Sequence, residues 1–514
     1  MRKLLFALFG TSILCTTHVV NADTLSANGQ ATASYLKSLE KNPDGLLIFL
    51  NNLPKGGDLH NHRSGSAYAE NMLSYASADN MCVHAQTDTI SQQAGCPITA
   101  KNLADNSTLY NQLINAWSMR DFVATPQDSA HDHFFDTFLK FLAVSSTHRS
   151  QNLTEIVNRA GNEHELYLET MITAGTDKAI AIGNNVKWNG NFADMRQQLD
   201  AAGIPAVANS VSQELNQNEA YMNKTLQCGT AQAQAGCHVT VRYQYIALRG
   251  MQPAEVFAQL LTGFELANKD SRVVAVNIVA PEDNYYALRD YHLHMQMFAY
   301  LHQLYPNVHI DLHAGELTLG LVTPENLTFH IRDAVETADA ERIGHGVDIA
   351  YETNANQLLQ EMAAKHIAVE ICLTSNDKIL SSRGNREPLE LYLKNGVPVV
   401  LATDDEGVLR TDLTHEYQRA ILTYKLDYPT VKAIIRNSLT YNFMPGQSVW
   451  SDAKQFTPVT VCARDQLGGD KPSPACAAFL KDNPKAQLQW QLENQLAAFE
   501  KQAAATYRAQ AAMQ

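Results

Sequence analysis

Eight short apolar runs recur along the chain, and each ends in polar residues and is followed by a stretch with helical periodicity. The runs that we predict to be strands are residues 57–62, 166–172, 238–246, 273–279, 308–313, 342–347, 368–373 and 398–404. Strands that alternate with helices predict parallel pairing with right-handed crossovers. Eight such units favour a closed (β/α)8 TIM barrel, an α/β fold, over an open doubly wound sheet.

The predicted barrel is longer than the roughly 250 residues typical of this fold, so it must carry insertions. We expect a long, mainly helical insertion between the first and second strands, at about residues 66–165, with its clearest helices at 110–122 and 131–144. A C-terminal helical extension is expected at about residues 445–514. Residues 23–514 are therefore predicted to form a single domain.

The start of the chain has the pattern of an export signal. Arg2 and Lys3 precede an apolar stretch that is too short to span a bilayer, and small residues precede Asp23. We expect residues 1–22 to be a signal peptide and the mature protein to be periplasmic or secreted. No later run of 18 apolar residues follows in the sequence, so we expect no membrane partner after cleavage.

The overall charge argues against one class of partner. The chain has 39 Lys and Arg residues against 53 Asp and Glu residues, a formal net charge of −14. Because so acidic a surface repels phosphate backbones, we expect a small-molecule substrate and no nucleic-acid polymer.

Six cysteines fall into three close pairs in polar or Gly- and Pro-rich stretches, a pattern typical of local disulfides in an exported protein. The pairs are Cys82 with Cys96, Cys228 with Cys237, and Cys462 with Cys476. Cys372 lies within a predicted strand and is interpreted as a buried free thiol.

Functional residues of such a barrel lie at the carboxyl ends of its strands. His60 and His62 end the first strand and point the same way, because alternate residues of a strand share a face. His313 ends the fifth strand and Asp404 ends the eighth. Three imidazoles and one carboxylate suit zinc, with other divalent first-row metals as the alternative. His131 lies in a helical pattern and is interpreted as a structural or a surface histidine.

Five ordered motifs resemble those of the adenosine deaminase family. They are residues 53–62, 311–316, 342–347, 370–376 and 402–405. The export signal and the long insertion are most similar to the secreted adenosine-deaminase-related branch. The resemblance implies one zinc ion per chain, with water completing the site, held by His60, His62, His313 and Asp404.

The resemblance also implies hydrolytic deamination of adenosine or deoxyadenosine to inosine-type products and ammonia. Glu316 would give a proton to ring N1, His345 would take the proton of the attacking water, and Asp405 would bind N7, which requires a raised Asp405 pKa. Two candidate substrate-binding positions depart from the family pattern. Ser64 stands where an acidic residue often contacts the sugar, and Ala280 where a glycine amide usually meets N3.

Other functions stay open at this point. A binuclear amidohydrolase would need a metal-bridging lysine after the fourth strand, and residues 273–283 contain none. A cytidine-deaminase-type site needs a Pro-Cys-x-x-Cys motif, which the sequence lacks. The alternatives are deamination of another aminopurine such as adenine, and a secreted binding or signalling role on a deaminase scaffold. The insertion also offers a surface for a homodimer.

Overall fold

A closed ring of eight parallel strands forms the centre of the protein in a computed structural model that describes residues 25–93 and 95–513. The predicted signal peptide lies outside the described residues. The barrel strands are β1 (Gly56–His62), β2 (Glu165–Ile172), β3 (Thr240–Leu248), β4 (Val273–Val279), β5 (His309–Ala314), β6 (Arg342–His345), β7 (Ala368–Ile371) and β8 (Val399–Leu401). Each strand pairs with the next one along the chain, as right-handed βαβ units require.

The ring closes between the end of β1 and the residues after β8. Asn61 forms a parallel bridge with Asp404, the His62 amide donates to the Asp404 carbonyl at 3.0 Å, and the Asp404 amide donates to the His60 carbonyl at 2.9 Å. These bonds hold His60 and His62, two predicted metal ligands, beside a third predicted ligand, Asp404. The predicted (β/α)8 barrel is thus confirmed.

The helices around the barrel bury their apolar faces against the outside of the strands. The segment 253–269 shows why such helices form: Pro253 occupies the first turn, Glu255 completes a capping box, and the middle of the helix is buried. The helices and short 3₁₀ turns that follow β2 to β8 are Thr176–Asn184, Phe192–Ala202, Ile204–Thr225, Ala235–His238, Pro253–Lys269, Tyr285–Arg289, Tyr291–Leu304, Pro324–Leu327, His330–Glu336, Ile349–Tyr351, Ala355–Lys365, Leu373–Leu380, Gly384–Arg386, Leu389–Lys394, Glu406–Leu409, Leu413–Tyr424 and Tyr428–Thr440.

The segment between β1 and β2 is mainly helical, as predicted, and it also contains a small hairpin. Its elements are Arg63–Ser66, Ala69–Ala78, strands Cys82–His84 and Thr89–Ser91, Ala100–Asp105, Ser107–Ala116, Ala130–Thr147 and Arg149–Asn162. The helix expected at 110–122 ends at Ala116, because the chain then turns so that the Met119 amide can donate to the Val408 carbonyl at 2.7 Å.

Additional elements lie at both ends of the barrel sequence. Helices Ala27–Leu39 and Pro43–Asn51 precede β1, and strands Trp450–Asp452 and Thr457–Pro458 with helices Pro474–Asp482 and Pro484–Ala511 follow the last barrel helix. The three predicted cysteine pairs are disulfide-bonded, and Cys372 is a buried free thiol. Across the described ranges, every helix is too short or too polar to cross a membrane.

Candidate active site

Four potential metal ligands meet at the carboxyl ends of the strands. One ligand atom from each of the four lies within 4.8 Å of the others, and the set is His60, His62, His313 and Asp404. His62 Nε2 is 3.2 Å from both His313 Nε2 and Asp404 Oδ1, and His60 Nε2 is 3.6 Å from the same carboxylate oxygen. The sequence-predicted ligands therefore face one common point.

The chemistry of this cluster fits a single divalent cation. His60 Nε2 is buried and has no hydrogen-bond partner among residues 25–93 and 95–513. Burial lowers the pKa values of His62 and His313, and for His313 the nearby imidazoles lower it further. Both rings are therefore neutral, which is the form that ligates metals. A cation would satisfy the ring nitrogens that otherwise face each other.

Buried polar side chains orient three of the four ligands, His60, His313 and Asp404. Glu370 in β7 lies 2.7 Å from His60 Nδ1, and Asn277 Oδ1 in β4 lies 3.0 Å from His313 Nδ1. The Ser375 hydroxyl donates to Asp404 Oδ2 at 2.6 Å. Partners of this kind fix the ring orientation and the tautomer of metal-binding histidines. None of these three residues is predicted from the sequence to have a role, although Glu370 and Ser375 lie in one of the five motifs.

Glu316 and His345 lie together beside the ligands. His345 Nε2 is 3.7 Å from Glu316 Oε1, and its Nδ1 is held 3.0 Å from the side-chain oxygen of Asn376. The Asn376 amide in turn donates to the Glu387 carboxylate at 3.2 Å. Burial, reinforced by the negative charge of Asp404, raises the pKa of Glu316. A raised pKa favours the protonated form of the carboxyl group, which is the form that can act as a general acid.

A buried carboxylate that sequence analysis missed holds the turn at Glu316. Glu282 accepts the Gly315 amide at 3.1 Å and the Glu316 amide at 2.8 Å. It also lies 2.6 Å from His330 Nδ1 and 3.7 Å from Arg249. Although burial alone would raise the pKa of Glu282, these positive and donor groups lower it. The loop after β4 thus positions the loop after β5.

Asp405 follows the ligand Asp404 and is buried as well. Its Oδ1 has no hydrogen-bond partner in the described part of the chain. Burial and the adjacent Asp404 carboxylate raise the pKa of Asp405 well above its ordinary range. The raised pKa agrees with the neutral side chain that the family resemblance requires. Gly65 packs directly against this carboxyl, where a side chain would overlap it.

The two positions that depart from the family pattern also lie at the site. Ser64 and Ala280 line the same cavity as Glu316, His345 and Asp405. Ala280 has φ of +84°, in the left-handed region that favours glycine. The backbone after β4 therefore adopts at Ala280 a conformation that glycine takes more readily than alanine.

The cavity over these residues has a volume of about 540 Å³. Its outer wall is the insertion helix Ala130–Thr147, which contributes Phe134, Phe138 and Phe141. His131 at the start of this helix lies 3.2 Å from Asp283 in the loop after β4. The histidine interpreted as structural or surface thus joins the insertion to the barrel.

Comparisons with known proteins agree with this geometry. A family model described as adenosine deaminase matches residues 195–449. An adenosine deaminase of Clostridium perfringens is 33% identical over 135 residues, which are 26% of this chain and 37% of that protein. An N6-methyl-AMP deaminase of Danio rerio is 32% identical over 123 residues, 22% of this chain and 35% of that protein. The chain thus spans little more than a third of the length of these curated relatives.

Among solved structures, an adenine deaminase from Arthrobacter aurescens superposes on part of this chain. It is 16% identical with a TM-score of 0.49, and the superposition covers 76% of this chain and 94% of that one.

Proposed function

This chain belongs to the adenosine deaminase family, and from that premise we propose that it is a metal-dependent aminohydrolase of 6-aminopurine nucleosides. The favoured substrate is adenosine or deoxyadenosine, which would give the corresponding inosine and ammonia. The observation that supports this function is that a four-ligand cluster adjoins a buried carboxyl group with a raised pKa, Glu316, and a second buried carboxyl, Asp405, whose Oδ1 has no partner in the described part of the chain. Six residues within or beside the cluster line the cavity: His62, His313, Glu316, His345, Asp404 and Asp405.

We infer that the metal is one zinc-like ion held by His60, His62, His313 and Asp404, because imidazole and carboxylate donors suit that ion. When bound, the ion would supply a water molecule activated for attack at neutral pH.

The protein side chains supply the proton transfers. Glu316 would hold its proton against ring N1, since burial raises its pKa, and protonation there makes C6 electrophilic. His345 Nε2 would accept the proton of the attacking water, because Asn376 directs that nitrogen toward Glu316. The C6–O bond forms as water adds, and the C6–N bond then breaks with release of ammonia.

The remaining residues orient the purine ring. A neutral Asp405 would donate to N7, which would give a partner to the buried Oδ1 that has none among the described residues. The apolar side chains of helix Ala130–Thr147 would cover the ring and exclude bulk water, which strengthens the polar contacts beneath it. A scaffold that has only a binding or signalling role has no need of this complete set of groups.

We also propose that the mature chain, residues 23–514, is exported as a single domain. Three disulfides are compatible with an oxidising compartment, and the basic and apolar leader suits a periplasmic or secreted protein. The similarity to the secreted adenosine-deaminase-related branch rests on that leader and on the insertion.

The test is a spectroscopic assay for loss of the 6-amino chromophore with adenosine, deoxyadenosine, adenine and cytidine. Each reaction is run with native protein, after chelation, and after zinc or another divalent metal is restored. We expect turnover of the purine nucleosides, its loss on chelation and its return with zinc. Undiminished turnover in metal-free protein would contradict the proposed metal site. Failure of all four compounds in zinc-loaded protein would contradict the proposed function.

A further inference from the structure

Two arginines line the cavity that holds the ligand cluster. Arg63 directly follows the ligand His62, and Arg149 begins the helix Arg149–Asn162. Both line the cavity together with Ser64, Ser146 and the site carboxyl Asp405. The cavity therefore joins a cationic region to the proposed reaction centre.

In the described part of the chain, the two arginines share Glu214 as their ion-pair partner. Arg149 Nη1 donates to Glu214 Oε2 at 2.7 Å, while Arg63 Nη1 lies 4.0 Å from the other oxygen of the same carboxylate. The Glu214 carboxylate is thus the ion-pair partner of two guanidinium groups.

The Arg63 side chain is also short of hydrogen-bond partners. It is 5% exposed, and over residues 25–93 and 95–513 no group accepts a hydrogen bond from its Nη1. A buried guanidinium with an unmade hydrogen bond is unfavourable unless a further acceptor completes it. The acceptor that best fits two guanidinium groups is a phosphate, which forms charge-assisted and often bidentate bonds with arginine.

The chemistry of the proposed substrate indicates which phosphate this is. With C6 held over the ligand cluster, the N9 position lies on the opposite side of the purine, so the sugar extends away from the cluster into the remaining cavity. A neutral nucleoside brings no anionic acceptor for the unmade Arg63 hydrogen bond, whereas a nucleotide brings a phosphate on its sugar.

We propose that Arg63 and Arg149 form a subsite for the 5′-phosphate of a purine nucleotide, so that the chain deaminates adenosine 5′-monophosphate as well as the nucleoside. This inference rests on the proposed deaminase function. The reaction is the same hydrolysis: water forms the C6–O bond, the C6–N bond breaks, ammonia leaves, and the phosphate ester is unchanged.

The experiment compares kcat/KM for adenosine 5′-monophosphate and for adenosine in zinc-loaded native protein and in Arg149→Gln. Loss of one charge-assisted contact is expected to lower the nucleotide-to-nucleoside ratio by about 10- to 100-fold. Arg149→Lys keeps the charge and should restore part of the ratio. Arg196→Gln is the matched control, because Arg196 pairs with Asp200 within its own helix and does not line the cavity, and its ratio should not change.

Inorganic phosphate is the second probe. We expect it to raise the KM for the nucleotide in native protein and to do so less in Arg149→Gln. Inhibition by phosphate without nucleotide turnover would overturn the proposal, because the cation pair would then serve a separate anion. Turnover of adenosine but not of its 5′-monophosphate would overturn the subsite and leave the deaminase function standing. Turnover of neither compound would refute the deaminase function itself.

Discussion

A single methyl group at Gly344 should disable the metal site. Gly344 lies in β6 against the ring of His60, and an added Cβ would lie 2.7 Å from His60 Cε1 and 2.9 Å from Nδ1. Ordinary Cβ contacts begin near 3.4 Å, so the ring would have to withdraw by about 0.7 Å. The ring cannot do so freely, because Glu370 holds its Nδ1 at 2.7 Å.

A shift of that size exceeds what metal coordination tolerates. Ligand distances at such sites hold within about 0.2 Å, and misplacement by about 1 Å costs roughly 100-fold in rate. We therefore expect Gly344→Ala to lose most of its metal and at least about 100-fold in kcat. Crowding at this one position should also destabilise the fold by about 1–3 kcal/mol.

Metal content by elemental analysis after gel filtration and initial rates with adenosine would measure both effects. Gly320→Ala is the matched control, because its added Cβ would meet only the Thr318 hydroxyl, at 3.6 Å. The control should keep full metal and full rate. Stoichiometric metal and near-normal turnover in Gly344→Ala would refute the assignment of His60 as a ligand.

Three further substitutions test other parts of the structure. Glu316→Gln should keep its fold and metal but lose about 10²–10⁴-fold in turnover, and near-normal rates in the deamination assay would remove Glu316 from the proton-transfer role. Burial lowers the pKa of His131, but Asp283 and Asp132 outweigh that effect and raise the pKa from 6.5 to about 9. The charged His131 therefore stabilises the fold fully below pH 6.5, and this stabilisation is lost as pH rises through 9. His131→Asn should therefore remove about 1 kcal/mol of the difference in unfolding free energy between pH 6 and pH 9.5, and an unchanged difference in denaturant titrations would contradict that ion pair. Ala280→Gly should stabilise the protein by about 0.5–1 kcal/mol in the same titrations. The reason is that the strain energy of a left-handed alanine exceeds the conformational entropy cost of ordering a glycine on folding. Destabilisation would show that the turn at residue 280 is not strained.

The ligand cluster was predictable because it depends on two local rules. Alternation along a strand places His60 and His62 on one face, and the shared carboxyl edge of parallel strands brings them to His313 and Asp404. Neither rule needs the register between strands.

The groups behind the ligands were not predictable in the same way. Glu370 reaches His60 only because barrel closure places β7 next but one to β1, with β8 between them. Asn277 reaches His313 only through the stagger of β4 against β5. Both contacts depend on barrel closure and interior packing, which a hydrophobic pattern does not encode. The strands Cys82–His84 and Thr89–Ser91 are likewise too short to give a pattern that periodicity can detect.

Backbone strain at the carboxyl edge links the fold to the proposed chemistry. His345 and Asp404 have φ values of +66° and +62°, and Ala280 has +84°, so three strands end in a left-handed turn made by a non-glycine residue. Such conformations cost roughly 1–2 kcal/mol each, and a glycine would avoid that cost. At His345 and Asp404 a glycine would delete the imidazole or the carboxylate, so the strain is retained with the functional group. At Ala280 the side chain makes no such contribution to the proposed reaction, and the turn itself is what positions the loop that carries Glu282 to the Glu316 amide.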